Sequence, residues 1–390
     1  MVRIVRPDAV LHGDEAGSGP TVLLLHAGGE RRQVWRPVTE VLVDTGFRCV
    51  AFDQRGHGDT GGTLRTLASC ADDVAAMVHA SPPGCVVVGA SLGGLAAVAA
   101  LADPSVRARV AGLALVDVVP DLEPTRVRNF LAAAGVLDAH TEIVEDILAR
   151  VPLLRQITAE LDLPVLLVHG DNGSAVTASD IDGLLRLIPH ATVTRIPGAS
   201  HLVARDQPVA LGEAIAEWRA LAFLRDLGAG QIDHPGGNLL DHLQRVRSLV
   251  RDWGGSRRLR LAALCHATYG TDGFPPALLP LDQRARLRAA IGPEAEAFVY
   301  LYAACSRRPT YAHLGETPLP LTDRFTGEVI PLTGSDLADF ALLTVANELD
   351  VARHAELTSE VRHSIRDLVA ALSAYAPEIV ADVRTDPSLA

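Results

Sequence analysis

Val86-Val-Val-Gly-Ala-Ser91-Leu-Gly-Gly-Leu95 drives an apolar β-branched run straight into a Gly-Ala-Ser-Leu-Gly turn and then into an alanine-rich helical stretch. Strand, turn and helix with G-x-S-x-G spacing read as a nucleophile elbow. The serine takes a strained conformation that lifts its hydroxyl off the sheet, and Gly89 and Gly93 lack the side chains that would collide where strand and helix nearly touch. Ser91 is therefore the candidate nucleophile. A serine in a glycine-rich turn is commonly only a turn former, so the reading depends on partners elsewhere in the chain.

Five further continuous apolar runs, at 21–26, 48–53, 112–117, 164–169 and 192–196, join this one (85–89) as strands covered on both faces. Their alternation with helical segments up to about residue 225 predicts an α/β architecture, a doubly wound, mostly parallel sheet. Weaker runs at 3–5 and 9–11 predict an antiparallel start. Between 120 and 163 the pattern turns helical, with candidate helices at 125–134 and 141–154, more than a simple crossover needs, which predicts a small helical lid. The stretch from Asp226 to Gly237 carries four glycines and a proline, and strand signals nearly vanish after it. It predicts a boundary between a first domain, 1–228, and a second, mainly α domain, 229–390, with helices at 239–253, 257–267, 281–291, 294–305, 336–353 and 359–375 and an irregular exception at 309–334.

Composition narrows the function. A length of 390 residues exceeds the usual single core, which also argues for two domains. With 35 Lys and Arg against 47 Asp and Glu the formal charge is -12, and no basic run interrupts it, so neither nucleic acid nor membrane is an expected partner. A small-molecule acyl substrate fits better. No stretch reaches the ~18 apolar residues of a spanning helix, and the first residues lack a signal-peptide core, so a cytoplasmic location is expected. The five cysteines, Cys49, Cys70, Cys85, Cys265 and Cys305, are odd in number and scattered, and read as reduced, buried small hydrophobes.

A serine hydroxyl needs a base to take its proton and a third group to hold that base. His201 follows the last strand through Pro197-Gly-Ala-Ser200, which places it on a loop where the carboxyl ends of the strands converge. At this point the first domain resembles an α/β-hydrolase, on Leu24-Leu-His-Ala-Gly-Gly29, Phe52-Asp-Gln-Arg-Gly-His-Gly58, Gly89-Ala-Ser-Leu-Gly93 and Gly198-Ala-Ser-His201, across roughly residues 20 to 220. The resemblance implies an oxyanion hole at His26-Ala-Gly-Gly29, with donors from Ala27 or Gly28 and from Leu92. His57 is read as structural, and His12, His79, His140, His169 and His190 as ordinary residues.

The acid departs from the commonest family pattern. Gly170-Asp-Asn-Gly-Ser-Ala-Val-Thr177 puts Ser174 where members usually carry an aspartate, and a serine cannot hold an imidazolium. Asp117, in Leu115-Val-Asp-Val-Val-Pro120, resembles the esterase and thioesterase branch whose acid follows the sixth strand, and is favoured. Asp171 is the alternative, and a site with no acid is the third reading. The triad Ser91, His201, Asp117 implies hydrolysis of a small ester or thioester, with C–C hydrolysis, lactone opening, acyl transfer or a non-catalytic binding protein as alternatives.

In the second domain His242 falls on an apolar stripe and His266 ends an apolar helix. With His234 and Asp272 they are its candidate site residues. Their surroundings resemble an uncharacterised bacterial and plant helical domain, distantly similar to HD-type metal proteins. Ala267 replaces the aspartate such a site would use, so no metal and no cofactor are expected, with Asp241 or Asp272 as the groups that would orient the imidazoles were a metal bound. Dimerisation or covering the hydrolase mouth is the expected role of this domain, and a homodimer the expected assembly.

Overall fold

The apolar runs become the central strands of an eight-stranded sheet in the computed structural model, which describes residues 1–376, 383 and 386–389. The strands are β1 (Val2–Val5), β2 (Val10–Gly17), β3 (Thr21–Leu25), β4 (Arg48–Phe52), β5 (Cys85–Ala90), β6 (Val110–Val116), β7 (Val165–Gly170) and β8 (Thr192–Ile196), in the order β1-β2-β4-β3-β5-β6-β7-β8. The first two pairings, β1 with β2 and β2 with β4, are antiparallel, and every later one is parallel. Alternate residues of the central strands feed two separate cores. Leu23, Leu25, Val87, Leu113, Leu115 and Leu167 enter one, and Val22, Leu24, Val86, Val88, Ala114 and Val116 the other, as the period of two along a strand requires. The helices α1 (Arg36–Asp44), α2 (Leu67–His79) and α3 (Leu92–Ala100) split between the faces, α2 and α3 on the first core and α1 on the second. This is the α/β-hydrolase fold.

Between β6 and β7 lie α4 (Pro124–Ala133), α5 (Leu137–Ala149) and α6 (Val151–Ala159). The single helix expected at 141–154 is split, because Pro152 falls in the first turn of α6, where its missing N–H costs nothing. After β7, α7 (Ala178–Leu187) and α8 (Pro208–Asp226) complete the pattern.

The chain divides into two compact units, Met1–Trp218 and Arg219–Ala390. The division falls inside α8 and not at the glycine-rich break at 226–237. Leu211, Ile215 and Trp218 pack in the first unit's core, while Ala220, Leu221 and Leu224 pack in the second's. That second core is built by α9 (Leu239–Asp252), α10 (Arg257–Cys265), α11 (Arg284–Ile291), α12 (Pro293–Ala304) and α13 (Gly334–His354), and α14 (Ser359–Leu372) packs on the other side of α13 in a smaller cluster with Val345 and Leu349. The stretch expected to be irregular contains an antiparallel hairpin, Leu319–Thr322 with Val329–Leu332. Among the described residues, no helix is long and apolar enough to cross a membrane.

Candidate active site

Parallel registry brings the carboxyl ends of β3, β5 and β6 abreast, with Leu25 opposite Gly89 and Ala90 opposite Val116. The next residues, His26, Ser91 and Asp117, therefore emerge side by side. Ser91 has φ 48° and ψ -113°, held by its amide hydrogen bond to Val116 O at 3.2 Å. A Cβ on Gly89 would lie 2.5 Å from Gly93 C, and one on Gly93 would lie 2.6 Å from Leu25 O. Only glycine fits either position. Ser91 Oγ makes no hydrogen bond among the described residues, so it is free to face a substrate.

The loop after β3 is pinned from beneath. His26 Nε2 accepts from Gln54 N at 3.0 Å, so Nδ1 carries the proton and donates to Ala27 O at 2.7 Å. Burial holds His26 neutral, with its pKa lowered to about 4. His57 Nε2 accepts from Gly29 N at 2.9 Å, which spends that imidazole on loop backbone. Ala27 N points at Glu30 Oε2 at 3.4 Å. Leu92 opens α3, so its amide has no acceptor inside the helix and carries the positive end of the helix dipole. Gly28 lies against Leu92, a Cβ there being 3.8 Å from Leu92 Cδ2.

Asp117 is 1% exposed and, like Ser91, takes a positive φ, 51°. His201 Nδ1 lies 2.9 Å from its Oδ2. Oδ1 accepts from Gly170 N at 2.9 Å, and the Ser174 hydroxyl reaches Oδ1 at 2.8 Å and Oδ2 at 2.7 Å. Burial pushes the Asp117 carboxyl pKa up, but the donors from His201, Ser174 and Gly170 outweigh it and hold the group below the ordinary aspartate value. Ser174, read from the sequence as standing at the usual acid position, hydrogen-bonds the Asp117 carboxylate. His169 Nδ1, 3.2 Å from Asp117 Oδ1, also touches it, a contact that nothing in its sequence context signals. Asp171 is elsewhere: its Oδ1 accepts from Gly198 N at 2.7 Å and fastens that turn.

Ser91, Asp117 and His201 share the wall of one cavity of about 440 Å³, together with Ala27, Gly28 and Leu92. Its other wall is the lid, through Val127, Phe130 and Leu131 of α4 and Ile143, Val144 and Ile147 of α5. Phe130 packs edge-on to His201 with centroids 4.9 Å apart. The polar exceptions include His140 and the ion pair Arg126–Asp180, at 2.6 Å. Phe130 and Arg126 escaped sequence reading because an amphipathic lid helix carries no motif.

In the second unit His234, His242 and His266 come together, with His234 stacked on His242 at 3.9 Å between centroids. Asp272 does not join them, since its Oδ2 accepts from Arg307 N at 2.8 Å. Asp241 caps α9 with Asn238. The orienting groups come instead from Ala263 O, 2.7 Å from His266 Nδ1, and Asp350 Oδ2, 2.7 Å from His242 Nδ1. Asp350 and Asn347 sit on α13, far along the sequence, and no local spacing announces them.

Residues 20–139 match the family model described as alpha/beta hydrolase fold, and residues 223–307 match a domain of unknown function, DUF6817. A putative carbamate hydrolase of Variovorax paradoxus is 36% identical over 134 residues, 33% of this chain and 48% of that protein. A 2-(acetamidomethylene)succinate hydrolase of Mesorhizobium japonicum is 27% identical over 259 residues, 52% of this chain and 89% of that protein. The chain thus spans about half the length of the first relative and most of the second. Among solved structures, a thermophilic esterase from Thermogutta terrifontis aligns with TM-score 0.47 and 25% identity over 57% of this chain and 99% of its own. The first unit has the α/β-hydrolase fold.

Proposed function

We propose that the first unit is a serine hydrolase that cleaves a small ester or thioester with an apolar acyl group, through Ser91, His201 and Asp117. The observation that carries the reading is the 2.9 Å contact of His201 Nδ1 with the buried Asp117 carboxylate, in a cavity shared with a serine on a strained elbow. Because Nδ1 donates to Asp117, His201 Nε2 is the basic nitrogen that takes the Ser91 proton as Oγ attacks the carbonyl. The oxyanion is met by backbone amides at Leu92 and at Gly28 or Ala27, each such donor being worth about 3 to 4 kcal/mol in comparable sites. His201 then protonates the leaving group and activates water against the acyl-enzyme, while Asp117 stabilises the imidazolium throughout. The mostly aliphatic lid supports an apolar acyl part and offers little to a highly charged one.

A fluorophosphonate probe tests the reading. Stoichiometric labelling at Ser91, lost in Ser91→Ala, is expected, whereas a folded protein that stays unlabelled is a binder and not a hydrolase. A chain-length series of p-nitrophenyl esters and acyl thioesters then locates the substrate. The names of the two relatives add carbamates and acetamido compounds to that series.

A further inference from the structure

The histidine cluster belongs to the second unit, and its hydrogen bonds leave a specific deficit. His266 Nδ1 faces only a carbonyl oxygen, Ala263 O, so Nδ1 bears the proton. His242 Nδ1 faces a carboxylate oxygen of Asp350, itself clamped by Arg245 at 2.7 and 3.0 Å, so this Nδ1 is protonated too. Asn347 Nδ2 donates to Glu348 Oε1 at 3.1 Å, which turns its Oδ1 the other way. The atoms left over are Nε2 of His242, Nε2 of His266 and Oδ1 of Asn347, which approach one another at 3.4, 3.2 and 3.1 Å. A neutral imidazole that carries its proton on Nδ1 has its lone pair on Nε2. Three lone-pair atoms pointed at each other in a buried site repel unless a proton or a metal ion lies among them.

We propose that this trio binds a divalent first-row transition-metal ion. Donors held ~2.1 Å from such an ion lie ~3.0 Å apart at right angles and ~3.4 Å apart at tetrahedral angles, the range observed here. Two imidazoles and an amide oxygen suit Zn, Fe, Mn or Co better than the hard ions alone. Each ring's far nitrogen is fixed by a carboxylate or a carbonyl, the arrangement that orients metal-bound histidines. Among the described residues no three His, Cys, Asp or Glu side chains form a metal-binding group. Here the third donor is an asparagine, supplied by α13 and not by the segment that carries the histidines. The trio opens on a cavity of about 200 Å³ lined by His234, Thr271, Phe274, Arg307 and Glu348, so the ion keeps open positions toward that space.

The test is calorimetric titration of the full-length chain, purified without a histidine tag and stripped with chelator, with Zn2+, Mn2+, Fe2+ and Co2+ salts in turn. One site per chain is expected for at least one ion, with a dissociation constant below about 100 μM and a visible d–d band for the Co2+ form. Asp350→Asn should weaken binding by about 10- to 100-fold, His242→Gln with His266→Gln should abolish it, and Ser91→Ala should leave it unchanged. The proposal is overturned if the stripped wild-type chain takes up none of these ions below about 100 μM, a result that needs no variant to fold. It is equally overturned if the folded double variant binds as wild type does.

Discussion

Asp117 stands immediately past β6 in a left-handed conformation that costs a non-glycine residue about 1 to 3 kcal/mol. That strain directs its carboxylate at His201, where Ser174, Gly170 and His169 close around it. Asp117→Asn keeps the shape, removes the charge and should lower kcat by on the order of 10³- to 10⁴-fold. Asp171→Asn, which loosens only the turn at Gly198, should change kcat by less than about 10-fold. Steady-state kinetics on the best ester of the series decides, and the reverse ranking would refute the acid assignment. Ser91 and His201 were legible because each sits in a short local motif. The sequence left Asp117 beside Asp171 and a site with no acid, since the donors that surround Asp117 lie more than fifty residues away. A second residue-level consequence concerns His26. Its pKa falls from 6.5 to about 4 on burial, so below pH 6.5 the unfolded chain binds a proton that the folded chain refuses. Stability is full above pH 6.5 and declines as pH falls toward 4, by up to roughly 3 kcal/mol at 1.36 kcal/mol per unit. Urea midpoints measured from pH 7 to 4.5 should show a shallower slope in His26→Gln than in wild type, and equal slopes would remove His26 from the acid response.

At the scale of elements, the site depends on how closely α3 approaches β3 and β5. A methyl group on Gly93 would press on Leu25 O and His26 O, backbone atoms of the strand end and of the oxyanion loop. Neither can yield without moving the other half of the site. Gly28 is different, since a methyl there meets only Leu92 side-chain atoms at ordinary contact distance. Gly93→Ala should therefore cost at least about 2 kcal/mol of stability and abolish fluorophosphonate labelling. Gly28→Ala should stay within about 1 kcal/mol of wild type and still label. Chemical denaturation and labelling of both variants test the pair, and equal damage from the two would mean that the elbow packing has been misjudged. The elbow could be read from sequence because its glycines are a steric requirement written into five consecutive residues. The split of the lid helix at Pro152 and the second-unit hairpin were not, because both depend on tertiary packing that overrides weak local preference.

At the scale of the molecule, two periodicities marked two units, one with strands in continuous apolar runs and one with helical spacing alone. Their division was placed at the glycine-rich break, because a breaker is the strongest local signal of a boundary. Packing puts it earlier, since α8 contributes Trp218 to one core and Leu221 to the other. A helix that changes cores midway leaves no mark in composition. The first unit nevertheless has a sheet covered on both faces by its own helices, and Ser91, Asp117, His201, Leu92 and the lid all lie within Met1–Trp218. Expressed as residues 1–228, which retains the whole of α8, it should melt in one cooperative transition and label at Ser91 as the full chain does. A soluble fragment without a cooperative melt would refute the independence of the first unit.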